Sequence, residues 1–253
     1  MFINEFEEKV NNAKELDFGT IFGQSMALFK KVWLQGLIIL LLTMLIIIPF
    51  YLIIYVPFLA FGIVPEMIRG NENVSFGFIF GVLLFFICFG IIASVVSLSF
   101  KSAFYRICKQ KDYGETTKDD YFFYFKKQYL GKLIVLSVIV MGISIAASLL
   151  FLLPLFYVII PLSFVNLVFA FNPERSVSEI LKLSFKIGHK KWLLSFGLLI
   201  VSGFLAEMIG FLMCCVGLLA TLSFTYIPLY IIYKEVIGFE NSEDQTVSAQ
   251  TLV

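Results

Sequence analysis

The sequence predicts an all-α polytopic membrane protein. It would have six transmembrane helices folded as three hairpins, each preceded by a cytoplasmic amphipathic helix at the interface. Three observations carry that reading. Of 253 residues, 60% are hydrophobic and only 15% charged, against about a quarter charged in soluble domains. Stretches 34–64, 76–100, 133–171 and 193–233 hold a single charged side chain, Glu207. The basic residues fall between these stretches in a pattern that repeats three times. Such a chain has too much apolar surface to be disordered. Its net charge of +1 offers no bulk basic field for nucleic acid.

The elements follow in order, given that crossing a hydrocarbon core of roughly 30 Å takes about 20 helical residues. Asp17 is placed to cap a surface helix over 17–33, with Phe18, Phe22, Phe29 and Trp33 on one stripe facing Thr20, Gln24 and Lys31. The stretch 34–64 is too long for one upright helix and too short for two. Pro49 and Pro57 interrupt it, so it reads as one broken or strongly tilted span. The stretch 76–100 is a single span, and a shorter surface helix over 117–129 starts at Thr117-x-x-Asp120.

The two longest stretches are each two helices. One gives spans 133–152 and 154–171, turning at Leu153-Pro154; the other gives 193–212 and 215–233, turning at Cys214–Gly217. Between them Ser176 and Glu179 form a capping box that opens a third surface helix over 176–191. Val177, Leu181, Phe185 and Trp192 lie along one side of it, and Lys182, Lys186 and Lys190 along another. Residues 1–240 form a single membrane domain, and the polar tail 241–253 is expected to be disordered in the cytoplasm.

Charge placement orients the chain. With both termini cytoplasmic, 18 of the 19 Lys and Arg residues lie inside and only Arg69 lies outside. Counting 34–64 as two crossings would expose the eight basic residues of 101–132 to the outer side, which the positive-inside rule rejects. The first residues are acidic (Glu5, Glu7, Glu8) rather than a basic leader, so the first span is expected to direct insertion.

The repeat reads Lys30-Lys31-Val32-Trp33, Lys126-Lys127-Gln128-Tyr129 and Lys190-Lys191-Trp192. A second echo follows at Pro49-Phe50-Tyr51, Pro154-Leu155-Phe156-Tyr157 and Pro228-Leu229-Tyr230. One reading makes these residues topological punctuation. The sharper one makes an amphipathic collar. In it Lys30, Lys31, Lys126, Lys127, Lys182, Lys186, Lys190 and Lys191 contact anionic headgroups, and Trp33, Tyr129 and Trp192 anchor at the interface.

Reactive constellations do not emerge. The lone histidine, His189, cannot build a two-histidine metal site. Neither a Gly-x-Ser-x-Gly nucleophile turn nor a phosphate-binding glycine loop occurs. The acid pairs Glu7-Glu8 and Asp119-Asp120 would point about 100° apart on a helix. Cys88, Cys108, Cys214 and Cys215 suggest no disulfide framework. The expectation is therefore no catalytic residue, no cofactor and no metal. Glu207 is the candidate intramembrane functional residue, and Asn166 a candidate interhelical hydrogen bonder. Small residues at Gly77/Gly81, Gly142/Ala146 and Ala206/Gly210/Cys214 mark expected helix contacts.

The run from Phe171 to Lys186 (Phe171-Asn172-Pro173-Glu174-Arg175-Ser176 at its start), then Lys190-Lys191-Trp192-Leu193, resembles a stretch of uncharacterised bacterial polytopic proteins. These are the YciC-like inner-membrane proteins and the membrane domain beside some glycerophosphodiester phosphodiesterases, in a Bacteroidetes-like version. The likeness implies about six spans in a bacterial inner membrane and carries over no catalytic residue. The expected function is a non-enzymatic protein that organises anionic lipid or docks a protein partner or second copy. The alternative is a small transporter or flippase-like protein for a lipid-like cargo, with Glu207 in its path.

Overall fold

A computed structural model of the protein describes residues 2–60, 76–150, 153–213 and 216–239. The loop around Arg69 expected on the outer side, the first residues of the turn expected at Cys214–Gly217 and the tail 241–253 expected to be disordered lie outside these residues. The regular structure of the described residues is helical: α1 (Phe2–Asn12), α2 (Phe18–Ala60), α3 (Phe76–Asp112), α4 (Lys127–Leu149), α5 (Leu153–Phe171), α6 (Val177–Lys190), α7 (Trp192–Leu212), α8 (Val216–Thr221) and α9 (Ile227–Ile237). Two 3₁₀ segments, Phe123–Phe125 and Leu222–Tyr226, complete it. Among the described residues five stretches are long and apolar enough to cross a membrane: Phe18–Ile53, Leu83–Asp112, Lys127–Leu149, Pro154–Phe171 and Trp192–Leu212.

α2 differs from the expectation of a surface helix followed by a broken span. Its 43 residues run unbroken from Phe18 through Lys30-Lys31, Pro49 and Pro57. At 1.5 Å per residue that is about 65 Å, twice the thickness of a hydrocarbon core. Asp17 caps it as expected, accepting from the Thr20 N–H at 2.8 Å and the Thr20 hydroxyl at 2.9 Å. Those bonds hold the Asp17 carboxyl below the usual range. Nothing in the sequence between Lys30 and Gly36 breaks a helix, so the basic pair marks a level on the rod and no corner.

The second surface helix is not formed. Residues 117–129 make turns, one 3₁₀ turn and the start of α4 at Lys127. Five successive aromatic residues, Tyr121 to Phe125, have no distinct helical face, and tertiary contacts claim several of them separately. The Tyr124 hydroxyl donates to the Ala170 carbonyl at 2.5 Å, Phe125 packs on Phe100 at 5.0 Å, and the Arg106 guanidinium lies 3.7 Å from the Phe123 ring centre.

α6 forms with the capping box in place: Glu179 N–H donates to the Ser176 hydroxyl oxygen at 3.3 Å, and Ser176 N–H to the Glu179 carboxylate at 2.9 Å. Its apolar face, however, meets protein. Ile180, Leu183, Ser184, Ile187 and Gly188 are buried, while Val177, Leu181 and Phe185 flank them half-buried. α6 runs back along α5, and a Cβ at Gly188 would lie 2.6 Å from the Pro161 Cα. α1 packs on it as well, through Lys186–Glu7 at 2.7 Å. The collar of three independent interfacial helices is thereby corrected to one helix, docked in the bundle.

The expected sixth span is divided into α8, a 3₁₀ segment and α9. Pro228 stands at the second position of α9, where it withholds the N–H that Phe224 would need to continue the ladder. Hydroxyls take up backbone acceptors nearby: Thr221 donates to Ala206 at 2.7 Å across to α7, and Thr225 to Leu222 at 2.7 Å. The segments still return along α7, because Gly210 is small enough for the Leu218 backbone to approach.

Burial is uneven along the helices. Phe100–Tyr105, Phe164–Phe169 and Ile227–Tyr233 hold the fully buried large side chains, next to the basic residues. At the far end Leu45, Leu83, Leu149 and Leu212 are exposed, Leu149 at 79% and Leu212 at 76%. Such a belt has no place in water and matches the hydrocarbon layer.

Candidate functional site

The polar chemistry gathers at the basic end, where α3, α5 and α9 finish and α1, α4 and α6 begin. Asp112, in the last turn of α3, accepts from Lys234 Nζ at 2.7 Å and from the Tyr230 hydroxyl at 3.1 Å. Beside it Asn172 Nδ2 donates to the Tyr233 hydroxyl oxygen at 2.9 Å. The loop before α4 is tied down by Lys111–Asp119 at 3.1 Å, Gln35 Nε2 to Asp119 at 3.3 Å and Lys126–Asp120 at 3.2 Å. Lys132 Nζ donates to the Pro173 carbonyl, linking α4 to the turn before α6. Asp112, Lys234, Tyr230, Asn172 and Tyr233 were missed in the sequence, since their partners lie far along the chain. The one available signal was an acid left at a helix C-terminus, where the macrodipole disfavours it.

A cavity of about 260 Å³ opens among Phe6, Lys9, Asn172, Arg175, Tyr233 and Phe239. Its charges are largely matched within the protein, Lys9 to Glu5 at 3.0 Å and Arg175 to Glu174 at 3.6 Å. Lys109 sits 4.9 Å from the Phe239 ring centre. Among the described residues no three His, Cys, Asp or Glu side chains come together as metal ligands. Cys88 is exposed and Cys108 buried, both as free thiols.

The eight lysines expected to meet headgroups separate into two sets. Lys126 pairs with Asp120, Lys186 with Glu7, and Lys191 donates to the Lys14 carbonyl at 2.9 Å. Burial, with Lys190 alongside, lowers the Lys191 pKa. Lys30, Lys31, Lys127, Lys182 and Lys190 are exposed and make no ion pair among the described residues. The three anchors differ too. Trp33 is exposed; Tyr129 packs on Phe123 at 5.4 Å; Trp192 Nε1 donates to the Tyr157 carbonyl at 2.9 Å and its ring stacks on Phe196 at 4.8 Å. His189 Nδ1 lies 2.8 Å from the Tyr157 hydroxyl.

Glu207 is on the outer surface of α7 beside exposed Phe204, Met208 and Phe211, and points away from the bundle. At Asn166 the interhelical bond is made by the backbone carbonyl, which accepts from the Ser102 hydroxyl at 3.2 Å, and not by the side chain the sequence singled out. Of the small-residue motifs, Gly81 and Gly142 face open space, whereas Ala206 and Gly210 are buried against α8. Gly36 and Gly188 are close-contact glycines that spacing did not reveal. No family model, curated protein or solved structure matches the chain.

Proposed function

We propose that the protein is a non-enzymatic, multi-pass protein of a bacterial cytoplasmic membrane, both termini inside, that collects anionic lipid around its basic end and presents that end to a partner protein or second copy. One observation supports this above the rest. Five exposed lysines, Lys30, Lys31, Lys127, Lys182 and Lys190, carry no counter-charge among the described residues, although acids stand at the same end. Asp112, Asp119, Asp120 and Glu7 are committed to internal pairs. Each uncompensated cation is worth ~1 kcal/mol beside an anionic leaflet, and the attraction falls off within a Debye length. The likeness of residues 171–199 to YciC-like proteins accords with this location.

The test is lipid composition. Full-length protein is reconstituted from phosphatidylcholine with a minor share of phosphatidylglycerol, and the lipid retained through gentle purification is quantified. Replacing all five lysines with Gln is expected to abolish most of the phosphatidylglycerol enrichment, and raised salt to do the same for the wild type. Equal enrichment in wild type and variant would overturn the proposal.

A further inference from the structure

Where α2, α3 and the 3₁₀ segment Leu222–Tyr226 meet, they enclose a second cavity, of about 60 Å³. Its polar lining is Thr43, Ser97, Lys101, Ser223 and Tyr226, and the remainder is apolar, including Ile39, Leu40, Phe100 and Phe104. Lys101 is the one charged residue in that lining, which contains no carboxylate. Its ammonium lies 4.9 Å from the Tyr226 ring centre and makes no ion pair among the described residues. Nor do Ser97 and Tyr226 spend their hydroxyls on the described protein, whereas Thr43 donates to Ile39 O at 2.7 Å and Ser223 to Ala220 O at 3.2 Å.

We propose that this cavity binds the head of one anionic amphiphile, a phosphate or carboxylate held by the Lys101 ammonium and the Ser97 and Tyr226 hydroxyls. A half-buried ammonium without a counter-ion is costly, and a cation–π contact compensates only part of it. Ser97 and Lys101 stand one turn apart on α3, and both line the cavity. The third donor comes from the stretch that Pro228 keeps out of a regular helix. A broken helix at membrane depth is tolerated where it lines a cavity, and such breaks hold ligands in transporters. Gly36 lets that stretch close against α2, because a Cβ there would collide with the Ser223 hydroxymethyl group.

The ligand's second property comes from the level of the site. Lys101 is the first charge after the uncharged stretch 76–100, and the cavity wall beside it is apolar at Ile39, Leu40, Phe100 and Phe104. A head bound at Lys101 therefore has apolar surface waiting for its chain. A zwitterionic choline head would bring a second cation into a lining that has no acid to receive it. The inference deepens the anionic-lipid reading but names different residues, and it concerns one stoichiometric ligand instead of a diffuse shell.

The experiment is native mass spectrometry of the full-length protein, delipidated and titrated separately with short-chain phosphatidylglycerol, a fatty acid, phosphatidylcholine and inorganic phosphate. The expected result is a saturable one-to-one adduct with phosphatidylglycerol or the fatty acid, and which of them binds identifies the head. Lys101→Gln should weaken that adduct about tenfold or more, as for loss of a charge-assisted hydrogen bond. Ser97→Ala and Tyr226→Phe keep the charge and should each weaken it about three- to tenfold. Circular dichroism melting confirms that each variant is folded. The five-lysine variant should keep the one-to-one adduct while losing its lipid shell, so the two proposals fail separately. Equal binding by Lys101→Gln, equal binding of phosphatidylcholine, or inorganic phosphate binding as tightly as either amphiphile would overturn the inference.

Discussion

Asp112 shows how a single side chain closes this fold. It sits in the final turn of α3, where the carbonyl end of the helix dipole repels a carboxylate, and two donors from α9 answer it. Lys234 also lies 5.4 Å from the Tyr113 ring centre, so its position is fixed from two directions. The pair is mostly shielded from solvent, with side chains 17% and 28% exposed, and an ion pair so placed is screened less than a surface one. Lys234→Met leaves the carboxylate with only the Tyr230 hydroxyl and is expected to cost about 2 kcal/mol, the range for hydrogen bonds to charged groups. Asp112→Asn keeps an acceptor for both donors and should cost about half as much. Thermal melts in one detergent decide it: a Lys234→Met protein melting with the wild type would make the contact ornamental. Sequence could not pair these residues, which stand 122 positions apart with no periodic relation.

α6 is the element whose origin is most local. Ser176 and Glu179 are three residues apart, and their reciprocal bonds form as soon as the first turn does. Bonds from the Ser176 N–H and hydroxyl hold the Glu179 carboxyl below its ordinary pKa, helped by Arg175 and Lys132. A carboxyl depressed in the folded state stabilises it fully above the unfolded value, about 4.3, and loses that contribution as pH falls through the lower folded value. Amide protection at the start of α6 should therefore hold from neutral pH to about 4.3 and fall below it. Ser176→Ala should loosen the same amides at neutral pH and flatten the acid response; an unchanged acid profile would refute the assignment. The same locality explains what sequence conveyed and what it did not. The capping box and the Asp17 cap depend on near neighbours, and both were legible, whereas Leu153 and Pro154, expected as a turn, already belong to α5. The aromatic run Tyr121–Phe125 was read as a helix because periodicity cannot register that Ala170, Phe100 and Arg106 each claim a different ring. The face of α6 was legible as amphipathic, but its partner was misread: an apolar stripe fits lipid and a neighbouring helix equally well, and only the Gly188–Pro161 approach decides. The Lys101 cavity needed three elements together, although the hydroxyl-rich run Thr221–Tyr226 before Pro228 was already an unusual way to build a span.

The whole molecule joins two packing regimes on shared helices. At the basic end side chains are packed as in a water-soluble core, with Phe100, Phe104, Phe164, Phe169 and Tyr230 fully buried; at the other end leucines such as Leu45, Leu83, Leu149 and Leu212 are exposed. Helices as long as α2 and α3 pass through both, so rigidity at the basic end sets how the helices leave it for lipid. This division fixes what the broken segment after α7 must do. Among the described residues five helices have spanning length, an odd number, and would leave the last described residues opposite the start of α2. Yet Lys234 reaches Asp112 at the basic end, and α1 packs on α9, and on these contacts we propose that 216–237 supplies a sixth crossing in pieces. Single cysteines test this with a membrane-impermeant maleimide on sealed vesicles, in a background where the native cysteines are serine. Lys118→Cys, Lys182→Cys and Glu235→Cys replace exposed residues of the basic end and should label from one side. Leu150→Cys, in the turn after α4, should label only from the other. Labelling of Glu235→Cys from the same side as Leu150→Cys would mean five crossings and would break the Lys234–Asp112 contact. Agreement of the first three would instead show that a proline-divided, hydroxyl-stapled segment traverses the bilayer, which is the architecture the Lys101 cavity needs.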